Sequence, residues 1–237
     1  MREAAEKAIV KEEAAPSAPK RPRPRSTKTS SAKEDVVENW QEDGRTRCAG
    51  WFTKGPPKAN MLHYHDAVWG RPSRDDAFLF EMLALSSCQA GLRWSTVYNR
   101  RDGYRRAFAD FDVARVAAFT DADTERLLKD EGIIRNAVKV KSILTNGRAI
   151  LAIQNEFGSF ADYLWSFIED GRPIVAHRKP DESIPARSEL GDRIAGDMKK
   201  RGFYFAGPVI VQAFIVSVGL FQSHDADCFV FHELHKK

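Results

Sequence analysis

Pro208-Val209-Ile210-Val211-Gln212-Ala213-Phe214-Ile215-Val216-Ser217-Val218-Gly219 is the stretch on which the fold class turns. Its β-branched residues would suit a buried strand. The run is long for a strand, however, and no other segment offers strand partners, so a buried helix fits better. Pro208 stands where a helix prefers its first residue. Gln212 and Ser217 interrupt the apolar run from Val209 to Phe221, which also falls short of the ~20 residues that a membrane span needs. No membrane contact is expected.

The segments upstream carry helical signals of the same kind. Asp75 and Asp76 open a stretch in which Phe78, Leu79, Met82 and Leu83 share one face, with Leu85 and Ser86 one turn on. Thr120 with Asp123 resembles a capping box leading into Leu127 and Leu128. Residues 136–156 form a long amphipathic stretch stopped by Gly158, and Ser159 with Asp162 starts another helix that Gly171 ends. Pro173, Pro180 and Pro185 mark an irregular connection, after which residues 188–201 read as a charged helix closed by Gly202. The expectation is an all-α core without internal repeats.

The chain has 237 residues, a formal charge of +4, 43% hydrophobic residues and three cysteines, which allow a real core but not a disulfide-stapled secreted scaffold. Two parts are expected: a disordered tail over residues 1–45 and an all-helical domain over 46–237. The tail is rich in Ala, Pro, Ser, Lys and Glu and cannot bury enough surface to offset its ordering entropy. Within it Lys20, Arg21, Arg23, Arg25 and Lys28 form a Pro-spaced basic cluster, open to reading as an import signal, a phosphate contact or a merely solvated run. Glu3, Glu6, Glu12 and Glu13 argue against a mitochondrial presequence, and no apolar signal core follows Met1. An intracellular, non-secreted protein is expected, in the cytoplasm and nucleoid of a bacterium or the nucleus of a eukaryote.

Two constellations carry possible chemistry. Between two helices lies Asp130-Glu131-Gly132-Ile133-Ile134-Arg135-Asn136, where Gly132 permits backbone conformations that other residues resist. A helix starting at Asn136 would aim unpaired N–H groups outward, suited to a phosphate oxygen, with Arg135, Lys139, Lys141 and Arg148 nearby. On spacing alone an ordinary helix–helix turn with solvated lysines is the more economical reading. The second constellation is His224 with Cys228, four residues apart, which Cys48 and His65 would complete as a Cys2His2 set suited to tetrahedral zinc. The long Cys48–His65 spacing matches no zinc-finger pattern. His63, Cys88, His232 and His235 compete as donors, and small buried thiols are the alternative.

A chain of motifs then runs in one order: Arg47-Cys48 with Trp51, Tyr64-His65-Asp66 with Trp69-Gly70, Leu79-Phe80-Glu81-Met82, Gln89-Ala90-Gly91-Leu92 with Trp94, Gly132-Ile133-Ile134-Arg135, Trp165-Ser166-Phe167, Lys200-Arg201-Gly202-Phe203, and finally His224 and Cys228. This order and spacing resembles the bacterial-type 3-methyladenine DNA glycosylase I family over residues 47–228. The resemblance implies an all-helical, helix-hairpin-helix DNA glycosylase fold with a structural zinc site, a monomer acting on double-stranded DNA that carries alkylated bases, and hydrolysis of the N-glycosidic bond of 3-methyladenine in base-excision repair. It implies zinc ligands at Cys48, His65, His224 and Cys228, and base-binding residues at Tyr64, Trp69, Trp94 and Gln89. Gly91 and Leu92 would fill the gap left by an extruded base. Gly132, Ile133, Ile134, Arg135, Asn136 and Lys139 would meet the DNA backbone.

Three positions depart from the family's pattern. Ser86 stands where the resemblance places a pocket glutamate that hydrogen-bonds the base, Met61 where it places a tyrosine, and Val68 where it places an acid. A lost charged acceptor is worth about 1.5–3 kcal/mol when buried. By its place in that pattern Ser86 is the candidate catalytic position, without the carboxylate. The readings that follow are a 3-methyladenine glycosylase with reduced or altered activity, a catalytically silent relative that binds DNA or a damaged base, or an enzyme on another modified base or nucleoside, its pocket reshaped by Ser86 and Met61.

Overall fold

The computed structural model describes residues 36–179 and 182–236. The basic cluster around Arg21 lies outside the described residues. The last ten residues of the expected tail are within them. Val36 bridges to Lys58, and Arg47 donates to the Trp40 carbonyl and to Asp43. Val36, Trp40 and Asp43 thus contact the segment that precedes α1.

In chain order the elements are α1 (Ala59–His63), a π-helical turn (Tyr64–Val68), α2 (Asp76–Gln89), α3 (Trp94–Tyr98), α4 (Arg101–Ala107), α5 (Val113–Ala117), α6 (Asp121–Lys129), α7 (Ala137–Phe157), α8 (Phe160–Trp165), β1 (Ile174–Val175), α9 (Glu189–Lys200), α10 (Pro208–Ser217), β2 (Phe221–Gln222) and α11 (Phe229–Leu234). The fold is mostly helical. The expected all-α character holds except for β1 and β2, which pair in parallel over two residues each. That pairing fastens the irregular proline-rich connection to the segment carrying His224, a contact that no alternation of apolar residues announces.

Helix α2 is the centre of the packing. Every residue from Leu79 to Cys88 is buried, the all-round burial of a helix enclosed by other elements; α3, α5, α7, α8 and α10 pack against it. Its start is fixed twice over. Asp75 accepts from the N–H of Phe78, and Asp76 caps the neighbouring helix by accepting from Phe160 and Ala161. Asn136 and Ser159 cap α7 and α8 in the same way, and the expected capping box at Thr120 is present. Pro208 opens α10 as a helix, with Val211, Phe214, Ile215 and Val216 buried.

Gly132 is required for a different reason from the expected one. Its φ is not positive. Instead the α6–α7 turn lies against α4 so closely that a Cβ on Gly103 would meet the Gly132 carbonyl oxygen at 2.2 Å. The two glycines permit a backbone contact rather than a left-handed turn.

Candidate active site and metal centre

A cleft of about 830 Å³ opens between the segment around Trp51, helices α2 and α3, helix α10 and the connection after Arg178, a size suited to a small organic ligand. The expected pocket residues Tyr64, Trp69, Ser86, Gln89 and Trp94 all line it. The rings of Tyr64 and Trp94 lie 5.2 Å apart, and Tyr98 backs Tyr64 at 4.3 Å. Ser86 is buried on α2 with its side chain at the cleft. Met61 lines the same wall. Burial raises the Tyr64 phenol well above its usual range, keeping it neutral.

Beyond α2 the chain turns at Gly91, whose φ of 74° favours glycine, and presents Leu92 to solvent at 37% exposure. A backbone bond from Leu92 to the Gln89 carbonyl at 2.7 Å tightens this loop. Lys139, expected to face DNA, instead reaches back: its side chain is buried and donates to the carbonyls of Cys88 and Ala90 at 2.6 and 2.9 Å. Cys88 is the one cysteine outside the Cys/His cluster, and burial pushes its thiol up to about 11.

The α6–α7 turn is partly self-satisfied. Asp130 accepts from the N–H of Gly132, the Tyr104 hydroxyl accepts from that of Ile134, and the Asn136 side chain accepts from that of Lys139. Ile133 anchors the turn in the core, while Arg135 is exposed with its guanidinium 3.7 Å from Glu131. Arg148 donates to the carbonyls of Ala117 and Phe119, and Lys141 lies over the Tyr204 ring. Of the four cations that sequence placed near the turn, Lys139 is buried and Arg148 is engaged by carbonyls, while Arg135 and Lys141 remain exposed.

Cys48, His65, His224 and Cys228 converge, with all four ligand atoms within 4.8 Å of one another and all four residues buried. Cys48 Sγ and Cys228 Sγ lie 3.3 and 3.6 Å from His224 Nδ1, and Cys228 Sγ lies 3.9 Å from His65 Nε2. Tetrahedral zinc with its usual bond lengths sets sulfur and nitrogen ligands about 3.5 Å apart, so the cluster fits such an ion. The remaining ring nitrogens are oriented as metal-binding imidazoles usually are: His65 Nδ1 meets Asp66 at 2.7 Å, and His224 Nε2 meets the Trp69 carbonyl at 3.0 Å. Gly70 has a φ of 71°, and a Cβ there would strike the His224 ring at 2.9 Å. The Cys48 thiol beside Cys228, with His224 and His65, holds the Cys228 thiol well below its usual range. His224 and Cys228 sit within one turn, between β2 and α11.

Sequence reasoning missed Arg178, which connects the cleft to the cluster, and Gln212, on the cleft wall. Arg178 lines the cleft and pairs with buried Asp225 at 2.7 Å, while Asp225 accepts from the N–H of Ala49 beside Cys48. Gln212 lines the cleft from α10 and is 1% exposed. Its position within an apolar run was the available signal. Glu81 is structural: its carboxylate receives Arg101 at 2.7 Å and Arg105 at 2.8 Å.

Residues 51–232 match the family model described as methyladenine glycosylase. The chain belongs to the methyladenine glycosylase family. Among its relatives, DNA-3-methyladenine glycosylase 1 of Escherichia coli (strain K12) is 39% identical over 182 residues, covering 77% of this chain and 95% of the relative. The enzyme of Haemophilus influenzae is 38% identical over 183 residues, covering 77% and 96%. Among solved structures, a crystal structure of 3-methyladenine DNA glycosylase I superposes with a TM-score of 0.71 at 41% identity, covering 78% of this chain and 98% of the other. A single-residue variant of such an enzyme in complex with 3-methyladenine gives 0.72 at 34% identity, covering 77% and 96%. The family match spans the cleft, the α6–α7 turn and three of the four clustered ligands, with Cys48 just upstream of it.

Proposed function

We propose that this chain is a monofunctional DNA glycosylase that releases 3-methyladenine from alkylated double-stranded DNA, acting as a monomer in base-excision repair. The observation that carries the reading is the aromatic cleft itself, with Tyr64 and Trp94 5.2 Å apart and the exposed Leu92 two residues before Trp94 in the chain. A flipped base costs a few kcal/mol to unstack, least when it is damaged. Leu92, on the turn made by Gly91, fills the vacated stack. Tyr64 and Trp94 hold the extruded ring, Trp69 closes the pocket, and Gln89 hydrogen-bonds the base edge. Because 3-methyladenine in DNA is cationic, an indole face adds about 0.5–2 kcal/mol that normal adenine does not receive.

That charge also carries the chemistry. When the N-glycosidic bond breaks, its electron pair stays with the base, which leaves neutral, and the sugar passes through an oxocarbenium-like state. Water adds at C1′ and gives its proton to solvent, leaving an abasic site. Among the described residues lining the cleft, Glu182 is the one carboxylate; it is exposed and accepts from the N–H of Lys179. The chain therefore relies on the leaving group rather than on a buried acid.

The turn of Gly132, Ile133, Ile134, Arg135 and Asn136 serves as the hairpin of a helix-hairpin-helix element and docks a DNA phosphate through Arg135 and the free N–H groups of Ala137 and Val138. Zinc held by Cys48, His65, His224 and Cys228 is structural, since four protein ligands leave no open position. No helix of the described residues is long and apolar enough to cross a membrane.

Ser86 within the cleft favours a second reading, a relative that binds damaged DNA without cleaving it. Release of free 3-methyladenine from methylated DNA by the wild type and by Ser86→Glu separates the two. Release by the wild type supports catalysis. No release by the wild type with gain by Ser86→Glu supports the silent binder.

A further inference from the structure

The cleft wall carries buried donors that no described residue pairs. Gln212 is 1% exposed, and its Oε1 is engaged by the Ser188 hydroxyl, which itself accepts from the N–H of Gly191. With the hydroxyl hydrogen directed to Oε1, the amide Nε2 is a buried donor without a partner among the described residues. Trp94 Nε1 and Arg178 Nε are likewise buried and unpartnered, and both residues line the same cleft. The Arg178 charge is already matched by Asp225. A buried donor without a partner is costly until a ligand supplies an acceptor.

An adenine-type base offers an exocyclic amine, a donor, at the position where a guanine-type base offers a carbonyl oxygen. A carboxylate on α2 would receive that amine, but the residue there is Ser86. The leaving group sets a second condition. With no buried acid in the cleft, the base must already be cationic, which N3-alkylation achieves for guanine as well as adenine.

We infer that Gln212 is a specificity determinant and that its free amide N–H receives the carbonyl of an N3-alkylated guanine, which this cleft takes in preference to N3-alkylated adenine. Ser86, whose hydroxyl donates or accepts, tolerates either base edge. The inference rests on the glycosylase reading for the excision step but concerns which base edge the pocket fits.

The test uses the full chain and duplex DNA treated with a methylating agent, which carries both lesions. Release of N3-methylguanine relative to N3-methyladenine, each normalised to its content, is compared between the wild type and Gln212→Glu. The glutamate keeps an oxygen for the Ser188 hydroxyl but replaces the donor with an acceptor. The ratio should fall by about tenfold or more, because a site built around one hydrogen-bond partner rejects the analogue that cannot make that bond. Gln212→Leu removes the donor without adding charge, should lower the ratio in the same direction, and keeps the test decisive if the glutamate variant does not fold. An unchanged ratio in the folded variants overturns the assignment, as does wild-type release of N3-methyladenine alone.

Should the wild type release neither base, the activity reading has failed. The inference is then decided by tryptophan-fluorescence titration with the two free methylated bases. Tighter binding of 3-methylguanine, reversed in Gln212→Glu, supports it; the same order of affinity in both proteins overturns it.

Discussion

Lys139 on α7 donates its ammonium to the Cys88 carbonyl at 2.6 Å and, with a second hydrogen, to the Ala90 carbonyl at 2.9 Å. These carbonyls close the end of α2 just before the Gly91 turn, where a helix end leaves acceptors unpaired. One buried cation thus ties the first turn of α7 to the loop that presents Leu92. The expected phosphate contact at Lys139 becomes an internal one, and the loop gains a fixed exit direction.

Lys139→Met keeps the length of the side chain and removes both bonds. Each bond to a charged group is worth about 1.5–3 kcal/mol, so urea denaturation should show a loss of stability. A displaced loop should also slow base release by about 100-fold, while Kd for undamaged duplex changes little. An equal loss in binding and in rate would return Lys139 to a DNA-contact role.

Gly103→Ala puts a methyl group 2.2 Å from the Gly132 carbonyl oxygen, a backbone atom that cannot rotate away. Forced overpacking of this kind costs about 1–3 kcal/mol, which for a domain of this size lowers Tm by about 2–4 °C per kcal/mol. A calorimetric scan with unchanged Tm would contradict the close α4–turn contact.

Glu81→Gln leaves two guanidinium groups facing a neutral amide. The Glu81 side chain is 3% exposed and that of Arg101 15%, so this is a buried ion pair, with Arg105 at 41% able to turn to solvent. Breaking such a pair costs about 3–5 kcal/mol, and the exposure of Arg105 puts the expected loss at about the lower figure. Denaturant midpoints check this, and wild-type stability in the variant would remove Glu81 from the list of structural anchors.

Elemental analysis of the purified chain should give about one zinc per molecule, the stoichiometry of a closed four-ligand site. Cys228→Ser should lose the metal and melt at a lower temperature. A folded wild type without metal, insensitive to chelators, would contradict the zinc assignment.

Much of the helical frame is legible from local signals. Asp75, Thr120, Asn136 and Ser159 cap the helices that their sequence context announces, because capping is a contact within four residues. The aromatic wall and the Cys/His cluster were legible by resemblance more than by spacing, since Cys48 and His224 lie 3.3 Å apart but 176 residues away in the chain. What stayed hidden are contacts without a periodic signature. Lys139 looks like any exposed lysine until the α2 carbonyls appear beside it. Gly132 looks like a turn glycine until Gly103 faces it. Gln212 looks like a blemish in an apolar helix until Ser188 fixes its amide.

Single-turnover release of free 3-methyladenine from a methylated duplex by the full chain, run beside Trp94→Ala and beside DNA alone, tests the central claim. Release well above that of DNA alone, lost by about 100-fold when the stacking indole is removed, is the predicted result. Equal rates in all three samples would contradict it.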